Sequence, residues 1–216
     1  MNFPYFHPAV AAWFRETFGE PSPPQALGWP AIASGKNVLL LAPTGSGKTL
    51  AAFLQCLSWL YSEAEARKDR AGGLEEALGD GVYVLYVSPL RALNNDIYRN
   101  LEVPLEGIRR TAERMGLVLP RLRSAVRTGD TPPRERRAIL KHPPHILITT
   151  PESLFLMLCS KAREIFRKVR FVIIDEIHSL FPTKRGAHLS ISLEYLEELA
   201  DAPFQRIGRA SCRERV

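Results

Sequence analysis

The sequence predicts an α/β domain, a mostly parallel sheet with helices on both faces. Short runs rich in leucine and β-branched residues, bounded by turn residues, alternate with longer stretches of helical period. The runs are apolar almost throughout, as strands covered on both faces must be. At 216 residues, 45% hydrophobic and 24% charged, the chain suits one large globular domain, and its composition argues against disorder of the whole.

In chain order, helical period over 8–18 and 24–34 precedes the first strand, NVLLLA (37–42). A helix follows over 48–66, then a surface loop over 68–81, where Gly72, Gly73, Gly79 and Gly81 stand among acidic residues. The strands VYVLYVS (82–88), RLRSAVR (121–127), HILITT (145–150), FVIID (171–175) and FQRIG (204–208) come next. Helices are expected between and after them over 91–116, 132–141, 152–167 and 188–200. There is no internal repeat and no low-complexity tract.

The first strand runs into A-P-T-G-S-G-K-T (42–49) and then an Ala/Leu-rich helix. Gly45 and Gly47 let backbone N–H groups turn toward one anion, and the helix N-terminus adds partial positive charge. Thr44, Ser46 and the two glycines would cradle phosphates, Lys48 would reach the β and γ phosphates, and the Thr49 hydroxyl suits Mg²⁺. Ala42 stands where the strict phosphate-loop pattern has glycine, so the tolerant form is what matches.

FVIIDEIH ends a strand on Asp175 and Glu176, two carboxylates at the carboxyl edge of the sheet, where open α/β folds bind ligands. Asp175 would hold Mg²⁺ directly or through water, and Glu176 would orient or deprotonate a water attacking a phosphoryl group in line. Taken alone, two acids after a strand also fit a solvated turn. In PPQALGWP, Gln25 lies 23 residues before Lys48, and its amide could give and take one hydrogen bond each with the N6/N7 edge of adenine. A lone glutamine on a helix means little, and it favours ATP over GTP only in company with the phosphate loop and the acidic pair; on the three together, ATP with Mg²⁺ is the expected cofactor.

P-P-Q, A-P-T-G-S-G-K-T, S-P-L-R-A-L-N, T-P-E-S-L and D-E-I-H occur in the order used by superfamily 2 helicases of the DExH type. The opening, FHPAVAAWFRETFGEPSPPQALGWPAIASGKNVLLLAPTGSGKT, resembles that of the large helicase-related (Lhr) family of bacterial and archaeal DNA helicases almost throughout. The resemblance covers residues 6 to about 208. It implies a RecA-like P-loop NTPase domain in a motor that hydrolyses ATP to move 3′ to 5′ along one strand, on single-stranded or partly duplex DNA, with RNA an alternative. It assigns strand tracking to Pro89, Arg91 and Ala92, to Thr128 and Gly129, and to Thr150, Pro151 and Glu152. It also makes His178 the link between the nucleotide site and the second motor domain. Physically, the tracking positions are strand ends and helix starts able to donate to successive phosphates without reading bases. T-P-E-S-L also reads simply as a helix start, with Thr150 near the cap.

Other features point less sharply. His142 and His145 in KHPPHI have no cysteine or acidic partner beside them, which leaves little for a metal. Arg121, Arg123, Arg127, Arg134, Arg136 and Arg137 are interrupted by Asp130 and Glu135 and read best as a solvated face. Cys56, Cys159 and Cys212 have no paired spacing, which fits a reducing cytoplasm. No apolar run reaches the roughly 18 residues of a membrane helix. The first ten residues lack a basic stretch followed by an apolar core.

The net charge of +6 permits an acidic partner, but the last eight residues, RASCRERV, hold three arginines and one glutamate. In the family, the strand ending Q-R-I-G leads into a Leu-Ser-Ala-Thr coupling motif, and here Arg209, Ala210, Ser211 and Cys212 stand in its place. The expected organisation is therefore N-terminal helices with the glutamine segment over 1–28, a truncated ATP-binding domain over 29–208, and a poorly ordered, non-native tail over 209–216. A second RecA-like domain with its arginine finger is not expected in this chain, which on that ground should scarcely turn over ATP. Two other readings stay open: a translocase that does not unwind, and a non-catalytic ATP- or nucleic-acid-binding module.

Overall fold

The computed structural model describes residues 3–89 and 91–211, and for residues 91–97, 99 and 100 the backbone alone. One six-stranded sheet, parallel at every pairing, forms the centre. Its strands are β1 (Val38–Ala42), β2 (Val84–Val87), β3 (Ser124–Arg127), β4 (Ile146–Thr149), β5 (Phe171–Ile174) and β6 (Gln205–Ser211), in the spatial order β1-β6-β5-β2-β4-β3. β2, β4 and β5 are buried at every position, which is why they read as apolar runs without alternation.

The helices are α1 (Pro8–Phe18), α2 (Pro23–Ala33), α3 (Lys48–Ala71), α4 (Arg91–Arg114), α5 (Pro133–Lys141), α6 (Pro151–Leu158), α7 (Ile177–Leu180) and α8 (Lys184–Leu199). One apolar cluster joins α1, α2 and α3 to one face of the sheet, and another joins α6 and α8 to the other face. α3 outruns its expected end because its period continues until Gly72, whose φ of 82° closes the helix in the left-handed region. The helix expected over 152–167 divides in two: Ser160 accepts from the Ala162 N–H and opens a separate 3-10 helix, Lys161–Phe166. α8 starts at Lys184, earlier than its apolar period, because the Thr183 side chain caps it through the Gly186 N–H.

The N-terminal aromatic residues position α2. Trp29 is fully buried and meets Phe6 and Phe14 edge-on at 4.8 and 4.9 Å between ring centroids. Its indole N–H donates to the Ala51 carbonyl at 3.1 Å, fixing α2 against the first turns of α3. α2 runs unbroken through residue 28, where the sequence places the end of an N-terminal unit.

The expectation that the chain is poorly ordered from Arg209 onward is overturned for residues 209–211. β6 continues through Ser211, with Arg209 opposite Leu40, Ala210 opposite Leu41 and Ser211 opposite Ala42 on β1. Arg209 and Ala210 are buried. The ladder with β5 ends at Gly208, and pairing with β1 alone, which no motif pattern encodes, orders these residues. Residues 212–216, including Cys212, lie outside the described residues.

Candidate functional site

Every predicted site position lies at the carboxyl edge of the sheet. Along that edge the strand order presents the phosphate loop after β1, then β6, then Asp175 and Glu176 after β5. Pro89 follows β2, Thr150 to Glu152 follow β4, and Thr128 and Gly129 follow β3. The nucleotide positions and the strand-tracking positions thus occupy neighbouring halves of one rim.

The first half holds a cleft of about 670 Å³ lined by Gln25, residues 44–50, Glu176, Arg209 and Ser211. Gly45 and Gly47 have φ of 80° and 85°, the left-handed turn that exposes loop N–H groups at the start of α3. Lys48 is 5% exposed and folds back: its ammonium donates to the Ala42 carbonyl and, at 2.6 Å, to that of Pro43. The Thr44 hydroxyl meets Ser211 Oγ at 3.5 Å, and the buried Ser46 hydroxyl has no hydrogen-bond partner. Gln25 Oε1 accepts from the Ser22 N–H at 2.9 Å, and its Nε2 donates weakly to Gly47 at 3.4 Å, while the Ser22 hydroxyl donates to the Ser46 carbonyl. One amide proton and one lone pair remain for a purine edge. Trp13 and the half-exposed Phe18 add aromatic walls to the cleft that the sequence reading missed. Gln25 is marked by its flanking Pro-Pro and Trp-Pro, whereas these rings arrive from α1 with no such mark.

Across the cleft, Asp175 is buried, and its Oδ2 accepts from the Tyr86 hydroxyl. Burial pushes the Tyr86 phenol well above its ordinary range; the Arg209 charge pulls it down and Asp175 pushes it up. It therefore stays protonated as the donor. Its ring stacks on Phe53 at 5.0 Å, which holds the hydroxyl in place. Glu176 has φ 45°, the one non-glycine residue in the left-handed region among the described residues. Such strain persists only where neighbours impose it. Glu176 Oε1 accepts from the Ser211 hydroxyl at 3.1 Å, and its Oε2 lies 3.3 Å from His178 Nε2. His178 Nδ1 accepts from the Ser211 N–H at 3.4 Å, which puts the ring proton on Nε2, facing Glu176. His178 thus joins Glu176 to the end of β6.

The expected metal ligands, Thr49 and Asp175, face each other across Arg209. Thr49 Oγ1 and the Asp175 carboxylate are oxygens of the kind Mg²⁺ takes. Both already face Arg209: its Nη2 donates to Thr49 Oγ1 at 2.6 Å, and its Nη1 lies 3.0 Å from Asp175 Oδ1. Arg209 thus stands between the two oxygens that the sequence reading gives to Mg²⁺.

On the other half of the rim, the predicted contacts are largely turned inward. Thr150 caps α6 by accepting from the Ser153 N–H at 3.3 Å, and both it and Pro151 are buried. The Thr128 N–H donates to Thr131 Oγ1, and the Gly129 carbonyl accepts from Arg136 Nη2 at 2.6 Å. Glu152 pairs with Arg185, whose Nε is 2.6 Å and Nη2 3.2 Å from the two carboxylate oxygens, while that Nη2 also donates to the Pro89 carbonyl at 2.8 Å. Burial pushes the Glu152 carboxyl up, but Arg185 and the cap hydrogen bonds outweigh it and leave it lowered. Arg185, on α8, was not anticipated; it ties the S-P-L end to T-P-E-S. The side chains of Arg91 and Ala92 lie outside the described residues.

The profile of the DEAD/DEAH box helicases matches residues 22–209. The chain belongs to this family. Within the DEAD/DEAH box helicases it is an Lhr-type motor domain. It is 53% identical over 203 residues to the Lhr helicase/probable uracil glycosylase of Mycolicibacterium smegmatis, a match covering 94% of this chain and 13% of that protein. It is 52% identical to the ATP-dependent helicase Lhr-Core protein 2 of Thermococcus barophilus, covering 92% of this chain and 22% of that one. The chain thus spans about a fifth or less of these relatives. The structure of Mycobacterium smegmatis helicase Lhr bound to ssDNA and AMP-PNP superposes with a TM-score of 0.86 at 51% identity, over 96% of this chain and 25% of the other.

Proposed function

We propose that this chain is the ATP-binding half of a DNA helicase motor that hydrolyses ATP and moves 3′ to 5′ on single-stranded or partly duplex DNA. The observation that carries the reading is the common rim: a phosphate loop and an acidic pair face one cleft, and helix starts suited to phosphates continue along the same sheet edge. When nucleotide enters, Lys48 exchanges its two loop carbonyls for the β and γ phosphates, and the N–H groups at the start of α3 hold the same oxygens. Gln25 reads adenine with its remaining proton and lone pair. Glu176, held by Ser211 and His178, orients the attacking water. Magnesium reaches Thr49 and Asp175 only with Arg209 displaced. The compartment that fits ATP chemistry and a free, buried Cys56 is the cytoplasm. The nucleic-acid preference rests on relatives named for helicase activity and on one solved with ssDNA.

The chain alone should turn over ATP poorly, because motors of this kind draw an arginine finger from elsewhere, worth about 10³–10⁵ in rate. Equilibrium ATP binding and strand-stimulated turnover, measured on the chain and on two variants, test the assignments. Lys48→Ala is expected to abolish binding, and Glu176→Gln to keep binding while removing whatever turnover remains. Turnover by the unaided chain at the usual helicase rate, or turnover surviving Glu176→Gln, would refute the respective assignment. Stimulation by RNA but not DNA would refute the DNA preference.

A further inference from the structure

Arg185 lies outside the motifs that the sequence reading assigns, yet it stands where the two halves of the rim meet. It is the second residue of α8, the helix that follows the acidic pair and α7. Its base is firm. The Thr183 hydroxyl donates to the Leu180 carbonyl at 2.8 Å, and a Cβ added to Gly186 would stand 2.3 Å from that same oxygen, so the start of α8 is pressed onto the end of α7. From there the guanidinium reaches the ends of two neighbouring strands at once. Nε and Nη2 take the two Glu152 oxygens at 2.6 and 3.2 Å, at the start of α6 after β4, and Nη2 also takes the Pro89 carbonyl at 2.8 Å, just after β2.

With 43% and 46% of the two side chains exposed, the Arg185–Glu152 pair adds little to stability. Its effect is on where the two segments sit and on the charge they present. Glu152 is an acid, held below the usual carboxylate range by Arg185 and the cap hydrogen bonds. A bare carboxylate and carbonyl on this rim would repel a phosphate backbone. Resting on the strand-tracking reading, we propose that Arg185 is a positioning residue for the strand grip: it locks the segments after β2 and β4 together and screens their acceptors from the strand. An arginine is required because three bonds diverge from one rigid plane, whereas a lysine ammonium carries the same charge as a point. In this role Arg185 does not itself touch the strand.

Fluorescence anisotropy of a dye-labelled single-stranded oligonucleotide, titrated with the whole chain over a salt series starting at about 50 mM, tests this beside titration with a fluorescent ADP. Arg185→Lys and Arg185→Gln are both expected to weaken strand binding by at least about fivefold, with ADP affinity within about twofold of wild type and the salt slope unchanged. Glu152→Ala should also weaken strand binding, although it takes a negative charge off the rim. Arg185→Lys at wild-type affinity would show that charge alone matters, and a slope lower by about 0.7 in Arg185→Gln would show direct contact with a phosphate; either overturns the positioning role. Tighter strand binding by Glu152→Ala overturns it too, as does an equal loss of ADP and strand affinity in the Arg185 variants, which would mark a general loss of structure. Those results leave the strand-tracking reading standing. A wild-type chain that binds ADP and no strand overturns both.

Discussion

Arg209→Met in the nucleotide-free protein isolates what the buried ion pair contributes to stability. The variant leaves the Asp175 carboxylate, 6% exposed, with the Tyr86 hydroxyl and the Glu176 N–H at 2.9 Å as its donors. Removing one partner of a buried pair costs about 3–5 kcal/mol, because the other charge stays buried. Two surviving hydrogen bonds put the loss at the low end, about 3 kcal/mol. For a chain of this size that lowers the thermal midpoint by about 6–12 °C. Asp175→Asn should also destabilise, by stranding Arg209, but the double variant should fall short of the summed losses by about 1–3 kcal/mol. Urea unfolding followed by circular dichroism, extrapolated linearly, measures all four corners of the cycle. A loss below about 0.5 kcal/mol in Arg209→Met, or additive single losses, would refute the claim that Arg209 neutralises Asp175.

Two further outcomes are expected. His145 is 2% exposed, and burial, followed by the Arg123 charge, pushes its pKa down from 6.5 to about 4. The unfolded chain therefore takes up this proton below about pH 6.5 while the folded chain resists until about 4, so stability is lost across that window as pH falls, by about 3 kcal/mol in all. In urea titrations at several pH values, His145→Asn should show a shallower acid slope than wild type; parallel slopes would sink the assignment. At Gly47 (φ 85°), an added Cβ would stand 2.6 Å from Gln25 Nε2. Gly47→Ala should cost about 1–2 kcal/mol from the left-handed backbone alone and displace the purine-reading amide. Unchanged affinity for a fluorescent ADP would show that neither the turn nor Gln25 shapes the site.

The strands and the two chemical motifs were legible because each is local. NVLLLA, the glycines of 42–49 and FVIID carry their signal within a dozen residues. Helix ends were less so: capping by Ser160 and Thr183 is a hydrogen bond, invisible to apolar period, and it moved two boundaries. The strand-tracking threonines were legible as helix and loop starts, but their hydroxyls proved to serve the fold. Arg185 was missed because Glu152 and Pro89, its partners, stand 33 and 96 residues away.

What the sequence by itself determined is the alternation that builds the sheet and the order of loop, acids and helix starts, since short-range pattern sets both. What only the tertiary structure decided is which of those ends meet. RASCRERV reads as foreign when compared with the expected motif, yet pairing with β1 carries β6 through Ser211 and turns Arg209 inward. Its partners Tyr86 and Thr49 lie 123 and 160 residues away along the chain. A buried charge is placed by the neighbours that compensate it, and those neighbours come together only when the strands are laid side by side.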